Sequence, residues 1–201
     1  MGHRLADLFV LMRDHFAKGL AVPGPVAEET TRVLAHLPDR LRASPHEPVL
    51  SPSSHPVALA VARTAEGLPS AWAEALGALA PLLPWRFTYA PRPDAPGLGE
   101  RMAWAEIIGP AAPVLNDHVG FGLTFIGAET HYLAHRHPAV ELYNVVAGTA
   151  RWNLEGADVA RPPGSFVLHP SQAVHAMRTS DEAMLAIYSW SGDIVSPTVY
   201  A

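Results

Sequence analysis

Residues 132–143 read YLAHRHPAVELY, and their parity decides the fold. In an extended chain from Ala134 to His137, side chains alternate, so His135 and His137 point to the same side of a sheet. Pro138 has no N–H to give to a ladder and turns the chain. Glu141 and Tyr143 again share a face, at the start of the next strand. Two imidazoles, a carboxylate and a phenol thus converge from adjacent strands without any unusual backbone. The stretch reads as two strand ends around a metal site rather than as a wet surface loop.

Outward from this stretch, the period of the chain is that of short strands from Trp85 onward. The segments RFTYA, RMAWAEIIG, GFGLTFIGAETHYLAH, ELYNVVAG, TARWNLEG, GSFVLHP, AVHAMRT and AMLAIYSW are mostly bounded by Pro, Gly, Asn or Asp. Alternation is clear from Ala150 to Leu154 and weaker from Ala183 to Trp190, where both faces are largely apolar. About eight such strands predict a sandwich or barrel, in which closure removes exposed edges. The chain holds 20 prolines and 15 glycines, which cut it into pieces of the right length.

Residues 1–84 read differently. In RLADLFVLMRDHFAKGL, residues 4–20, Leu5, Leu8, Phe9, Met12 and Phe16 fall at helical spacing, and Gly19 marks the end. GPVAEETTRVLAHLPDRL carries a proline near its start, acids in its first turns and Arg40 near its end, with Pro38 as the stop. PVALAVARTAEG and PSAWAEALGALAPLLP complete a set of three or four short helices. The expected organisation is a helical region, 1–84, packed on a β-barrel, 85–201.

Composition narrows the function. The formal charge is −5 with 14 Lys plus Arg, and no basic block offers a footprint for nucleic acid or anionic lipid. Cysteine is absent, which excludes disulfides and thiolate chemistry and leaves N and O ligands for any metal. The apolar run LADLFVLM is short and broken by Arg13, Asp14 and His15, so a signal peptide or membrane span is not expected, and a cytoplasmic location is.

Six of the 11 histidines lie between 118 and 175. RPPGSFVLHPSQAVH supplies a turn at Pro163-Gly164, an apolar strand, a second turn at Pro170, and then His175 opening the next strand. With His135, His137 and Glu141 it forms a set suited to one divalent ion, whether zinc, iron, manganese or cobalt. His169, just before a turn proline, reads as a loop or rim residue. His131 and Arg136 read as pointing outside.

The arrangement His135-x-His137-x3-Glu141-x6-Gly148 resembles the first motif of the cupin superfamily, and Gly164-x5-Pro170-x4-His175 the second. Gln172 stands where that second motif usually has glycine, and Thr179 where it has asparagine. Over about 105–192 the resemblance implies a mainly β fold, a small cupin β-barrel (double-stranded β-helix) holding a divalent metal. With a helical N-terminal region, Tyr132, HxHPAxExY, a histidine 38 residues after His137 and a tryptophan 15 beyond it, the chain resembles the DddQ-type cupin dimethylsulfoniopropionate (DMSP) lyases.

That resemblance implies metal ligands at His137, Glu141 and His175, with Tyr143 approaching the metal as the catalytic base. Tyr132 and Trp190 would then line the substrate pocket, with Tyr89, Trp104 and Tyr188 behind them. His135 is kept as well, either as a fourth ligand or as a group supporting the ligands. A small zwitterionic or carboxylate substrate follows: the metal takes the carboxylate, and aromatic faces take the sulfonium without a counter-charge. A phenol titrates near 10, but a neighbouring cation favours its phenolate. Two other readings are carried forward: a cupin dioxygenase or isomerase acting on another small carboxylate, and a non-catalytic small-molecule-binding cupin. Cupins commonly dimerise through their sheets, so a homodimer is an expected assembly.

Parity sets one condition on this picture. In an unbroken strand His131, His135 and His137 share a face and Tyr132 takes the other. A wall role for Tyr132 therefore requires a bulge or bend between it and His137.

Overall fold

The computed structural model describes residues 5–41 and 50–201. Arg4, at the head of the first expected helix, and residues 42–49 of the expected helical region lie outside them. Among the described residues, four α-helices form before residue 80: α1 (Leu5–Phe16), α2 (Pro25–His36), α3 (Val57–Ala65) and α4 (Ser70–Leu79). Helix α1 buries Leu5, Leu8, Phe9, Met12 and Phe16, the stripe expected from spacing. It ends earlier than Gly19 suggests, because the chain tightens into a 3₁₀ turn over Ala17–Ala21. Pro25 opens α2, and its missing N–H costs nothing at that position.

The remainder is β structure: β1 (Trp85–Arg86), β2 (Met102–Gly109), β3 (Val114–Leu115), β4 (Val119–Ile126), β5 (His131–Arg136), β6 (Val140–Ala147), β7 (Ala150–Leu154), β8 (Ala157–Arg161), β9 (Phe166–His169), β10 (His175–Thr179), β11 (Met184–Ser191) and β12 (Val199–Tyr200). One sheet runs β1-β2-β4-β11-β6-β9, with β3 beside β2, and the other runs β12-β5-β10-β7-β8. The two sheets face each other as a cupin jelly roll, the fold class the sequence led us to expect.

Two expectations for the strands need correction. RFTYA is not a strand beyond Arg86, and Phe87 and Tyr89 are carried on a loop instead. GFGLTFIGAETHYLAH is two strands, parted at a turn where Glu129 takes a φ of 50°. Strands β8 and β12 and the four-residue helix α5 (Leu98–Arg101) had no signal: β8 is an exposed edge with no buried side to alternate against.

The large sheet divides the apolar interior in two. Its outer face packs Phe121, Leu123, Phe125, Leu142 and Ile187 against the helices, where Phe16 meets Phe121 edge-on with ring centroids 5.4 Å apart. Its inner face joins the small sheet around Tyr132, Tyr143, Trp152, Met177 and Tyr188. Burial on both sides explains why β11 reads as nearly continuous apolar sequence.

Both cupin-like motifs end on particular backbone. Gly148 has a φ of 68°, and a Cβ there would lie 1.8 Å from the Ala183 carbonyl oxygen, so no side chain fits. Gln172 adopts the left-handed conformation, φ 65°, at the position where glycine is usual. Its N–H donates to the His137 carbonyl at 2.8 Å, which pins the loop carrying His137 to the turn before His175. The Thr179 hydroxyl bonds the Gly127 carbonyl and receives the Thr130 N–H, doing locally what an asparagine amide would do.

Candidate metal centre

Parity and register assemble the site. Strands β5 and β10 pair His135 with His175 and Tyr132 with Met177, so β5 spends three residues where β10 spends two. This is a bulge between Tyr132 and His135, the irregularity a wall role for Tyr132 requires. Tyr132 and His135 are consequently both buried, and their rings stack with centroids 3.9 Å apart. His131 and Arg136 are left exposed, as expected. On the large sheet Glu141 pairs with Trp190 on one side and His169 on the other, and Tyr143 pairs with Tyr188.

Glu141 is the hub. Its Oε1 accepts the Trp190 indole N–H at 2.7 Å. Its Oε2 lies 3.1 Å from His137 Nε2, 2.9 Å from His169 Nδ1 and 3.5 Å from His175 Nε2. His137, Glu141, His169 and His175 are all buried, with one donor atom from each within 4.8 Å of the others. His135 stands alongside, its ring 4.1 Å from that of His175.

Three histidines are oriented in the same way. The Nδ1–H of His135 donates to Leu133 O, that of His137 to Ala139 O and that of His175 to Ala173 O, at 2.8, 3.0 and 2.9 Å. Each thereby keeps a lone pair on Nε2, the form in which imidazole binds a metal. His175 Nε2 is buried without a hydrogen-bond partner. His137 Nε2 and Glu141 Oε2 present lone pairs to each other, which needs a proton or a cation between them. Zinc ligands at about 2.0–2.2 Å in a tetrahedral array stand about 3.3–3.6 Å apart, close to the 3.1 and 3.5 Å that separate Glu141 Oε2 from His137 and His175 Nε2. The donor set fits a divalent ion, although oxygen and nitrogen ligands alone suit several metals.

Charge states follow from the same contacts. Burial opposes ionisation of Glu141, but the His137 charge and the hydrogen bonds from His137 and His169 outweigh it and hold the carboxyl well below its usual range. Burial likewise disfavours the His137 imidazolium, yet Glu141 wins and raises its pKa. His169 is pushed down to about 4, by burial foremost, with the hydrogen bond to Glu141 opposing. Burial, then the charge of Glu141, raises the Tyr143 phenol well above 10.

A cavity of about 530 Å³ opens onto this cluster, lined by Tyr89, Trp104, Tyr132, His135, His137, Glu141, Tyr143, Tyr188 and Trp190. Every aromatic residue nominated from sequence is therefore on its wall. The Tyr89 and Tyr132 hydroxyls are hydrogen-bonded to each other. Also on the cavity wall, Glu106 lies 3.4 Å from the Tyr188 hydroxyl and 3.5 Å from Arg86.

Two residues escaped the sequence reading. His169 is not a rim residue: it is fully buried, bonded to Glu141, and its Nε2 accepts the Trp152 indole N–H at 2.9 Å. The signal was parity, since Val167 and His169 share a face and Val167 is apolar and inward. Trp152 was visible as an alternating strand residue, but nothing local tied it to a histidine 17 positions away.

Two sheets closed around a buried histidine–glutamate cluster define a metal-binding cupin. A family model for dimethylsulfoniopropionate lyases matches residues 27–186. The chain belongs to that family. The dimethylsulfoniopropionate lyase DddQ of Ruegeria pomeroyi is 33% identical over 167 residues, covering 81% of each chain. The solved structure of DMSP lyase DddQ from Ruegeria pomeroyi superposes with a TM-score of 0.72 at 28% identity, covering 98% of this chain and 96% of that one. A structure described with the DMSP lyases RdDddP and RnDddQII gives 0.73 at 26%, covering 98% and 99%.

Proposed function

We propose that this cupin is a carbon–sulfur lyase that cleaves DMSP to dimethyl sulfide and acrylate. The observation that carries the reading is the placement of Tyr143. It sits two residues after Glu141 on the inner face of β6, buried against the histidine cluster and open to an aromatic cavity, in a chain of this family. His137, Glu141 and His175 would hold the metal, with His135 beside them. The bound ion would supply positive charge that stabilises the substrate carboxylate and favours the Tyr143 phenolate.

The chain's own residues do the rest. Tyr143 Oη takes the proton from the carbon next to the carboxylate. The C–H electron pair becomes the C=C bond of acrylate, and the C–S pair leaves with neutral dimethyl sulfide. Tyr132, Trp190 and Tyr188 line the cavity and would supply aromatic rings to the sulfonium. The test is headspace dimethyl sulfide and acrylate from metal-loaded protein. The expected result is release that Tyr143→Phe abolishes with bound metal retained. Metal-replete protein giving no product, or an unaffected variant, overturns the assignment.

A second reading has its own observation. The cavity of about 530 Å³ lies in the range of sites for larger molecules, and its wall also offers Arg86 and Glu106 to a further polar group. It favours a longer acid carrying the same removable proton. A panel of such acids giving higher kcat/KM than DMSP would select it.

A further inference from the structure

We propose that His169 is a positioning residue and not a metal ligand: Trp152 holds it in one tautomer, and it fixes the Glu141 carboxylate for the metal. An indole nitrogen can only donate, so His169 Nε2, 2.9 Å from Trp152 Nε1, must present its lone pair to that N–H. In a neutral imidazole the proton is then on Nδ1, which donates to Glu141 Oε2 at 2.9 Å. Both ring nitrogens are committed. His135, His137 and His175 are arranged the opposite way, with Nδ1–H spent on backbone carbonyls and Nε2 turned inward.

The β ladder builds this device. Glu141 lies directly across from Trp190 on β11 and from His169 on β9. Trp152 reaches His169 from β7 of the opposite sheet and is buried, with 1% of its surface exposed. One indole therefore holds Oε1 directly and a second holds Oε2 through His169, so the carboxylate is fixed about its own plane. Proximity alone groups His169 with the ligands; its hydrogen bonds separate it from them.

The inference rests on the metal centre and is independent of the substrate, so its test reads metal binding. The 201-residue chain is stripped of metal, then titrated with zinc or cobalt, and histidine nitrogens are followed in long-range ¹H–¹⁵N spectra. His169 should show the Nδ1–H tautomer without metal and keep it with zinc, while the Nε2 signals of His137 and His175 move. His169→Leu should weaken zinc affinity about 10- to 100-fold, the usual cost of removing such a support. His169→Asn, whose amide N–H replaces Nδ1–H, should recover most of that loss and leave the cobalt visible spectrum unchanged. A zinc-induced shift of a His169 nitrogen, an altered cobalt spectrum in His169→Asn, or undiminished affinity in His169→Leu overturns the proposal. Where His169→Leu does not fold, Trp152→Phe carries the test: it keeps the ring, and should mix its tautomers and weaken affinity. Unchanged affinity there overturns the proposal equally. A failed dimethyl sulfide assay would leave all of these readouts standing.

Discussion

On β4, Phe121, Leu123 and Phe125 pack against the helices, while Gly120, Gly122 and Thr124 occupy the alternate positions, with Thr124 lining the cavity. On β6, Leu142 and Val146 go outward and Glu141 and Tyr143 inward. One set of strands thus carries a packing surface on one side and a polar, aromatic site on the other. The difference shows where stability comes from. The inner face buries a carboxylate and four histidines, which hydrogen bonds only partly compensate. The outer face, packed with phenylalanine, leucine and isoleucine, supplies the apolar burial that offsets this. The two faces should accordingly fail in different ways.

The largest effect expected is on the inner face. Tyr143→Phe removes a proposed base and should lower dimethyl sulfide release by about 10²- to 10⁴-fold, with the melting temperature little changed. Loss of folding in that variant would mean the site also serves as core. Next comes the outer face. Phe121, fully buried between Phe9 and Phe16, should cost about 3–5 kcal/mol on Phe121→Ala, read by urea unfolding. The folded fraction should keep its metal stoichiometry. Metal loss in folded Phe121→Ala would show that the faces are coupled.

This division was partly legible in the sequence. Helical spacing exposed the α1 stripe because a helix repeats its buried positions over several turns. The clustering of His137, Glu141 and His175, with His135 alongside, was legible because it is set by strand parity and two turns. The bulge at Tyr132 was inferred as a requirement, and its position between Tyr132 and His135 came from the register with β10. His169 was misread for a complementary reason. Its role depends on a cross-strand partner, Glu141, and on Trp152 from the other sheet, and no local pattern encodes either contact. Gln172 shows the same limit, since a glycine-like φ on a glutamine is fixed by its bond to the His137 carbonyl.

A third prediction uses pH to weigh the inner face. His169 titrates at about 4 in the folded chain against an ordinary 6.5. Between these values the unfolded chain takes the proton more readily, so acid favours unfolding. Metal-free stability should fall as pH drops from 6.5 toward 4, by up to about 3 kcal/mol from this group. His137 works in the opposite sense, because its raised pKa gives stability present at low pH and lost as pH rises through the folded value. The lowered pKa of Glu141 gives stability present above the ordinary carboxyl range and lost below it. Melting curves of metal-free wild type and His169→Asn across this window separate the first contribution. Equal slopes would mean that His169 is not held neutral.

The smallest effect tests whether β11 transmits between its faces. Trp190 points inward to Glu141, and its neighbour Ser191 points outward, where its hydroxyl donates to Glu29 Oε1 on α2 at 2.5 Å. Glu29 is 5% exposed and keeps Arg32 as an ion-pair partner at 3.2 Å. Ser191→Ala leaves that carboxylate one donor short, a loss of about 1.5–3 kcal/mol for a hydrogen bond to a charged group, toward the lower end because Arg32 remains. The melting temperature should drop by a few degrees. Metal affinity and kcat/KM should hold, since the Trp190 backbone is anchored on both sides, by β4 and by β6. A fall in metal affinity with a near-normal melting temperature would mean that α2 sets the angle of Trp190, and through it the carboxylate at the centre.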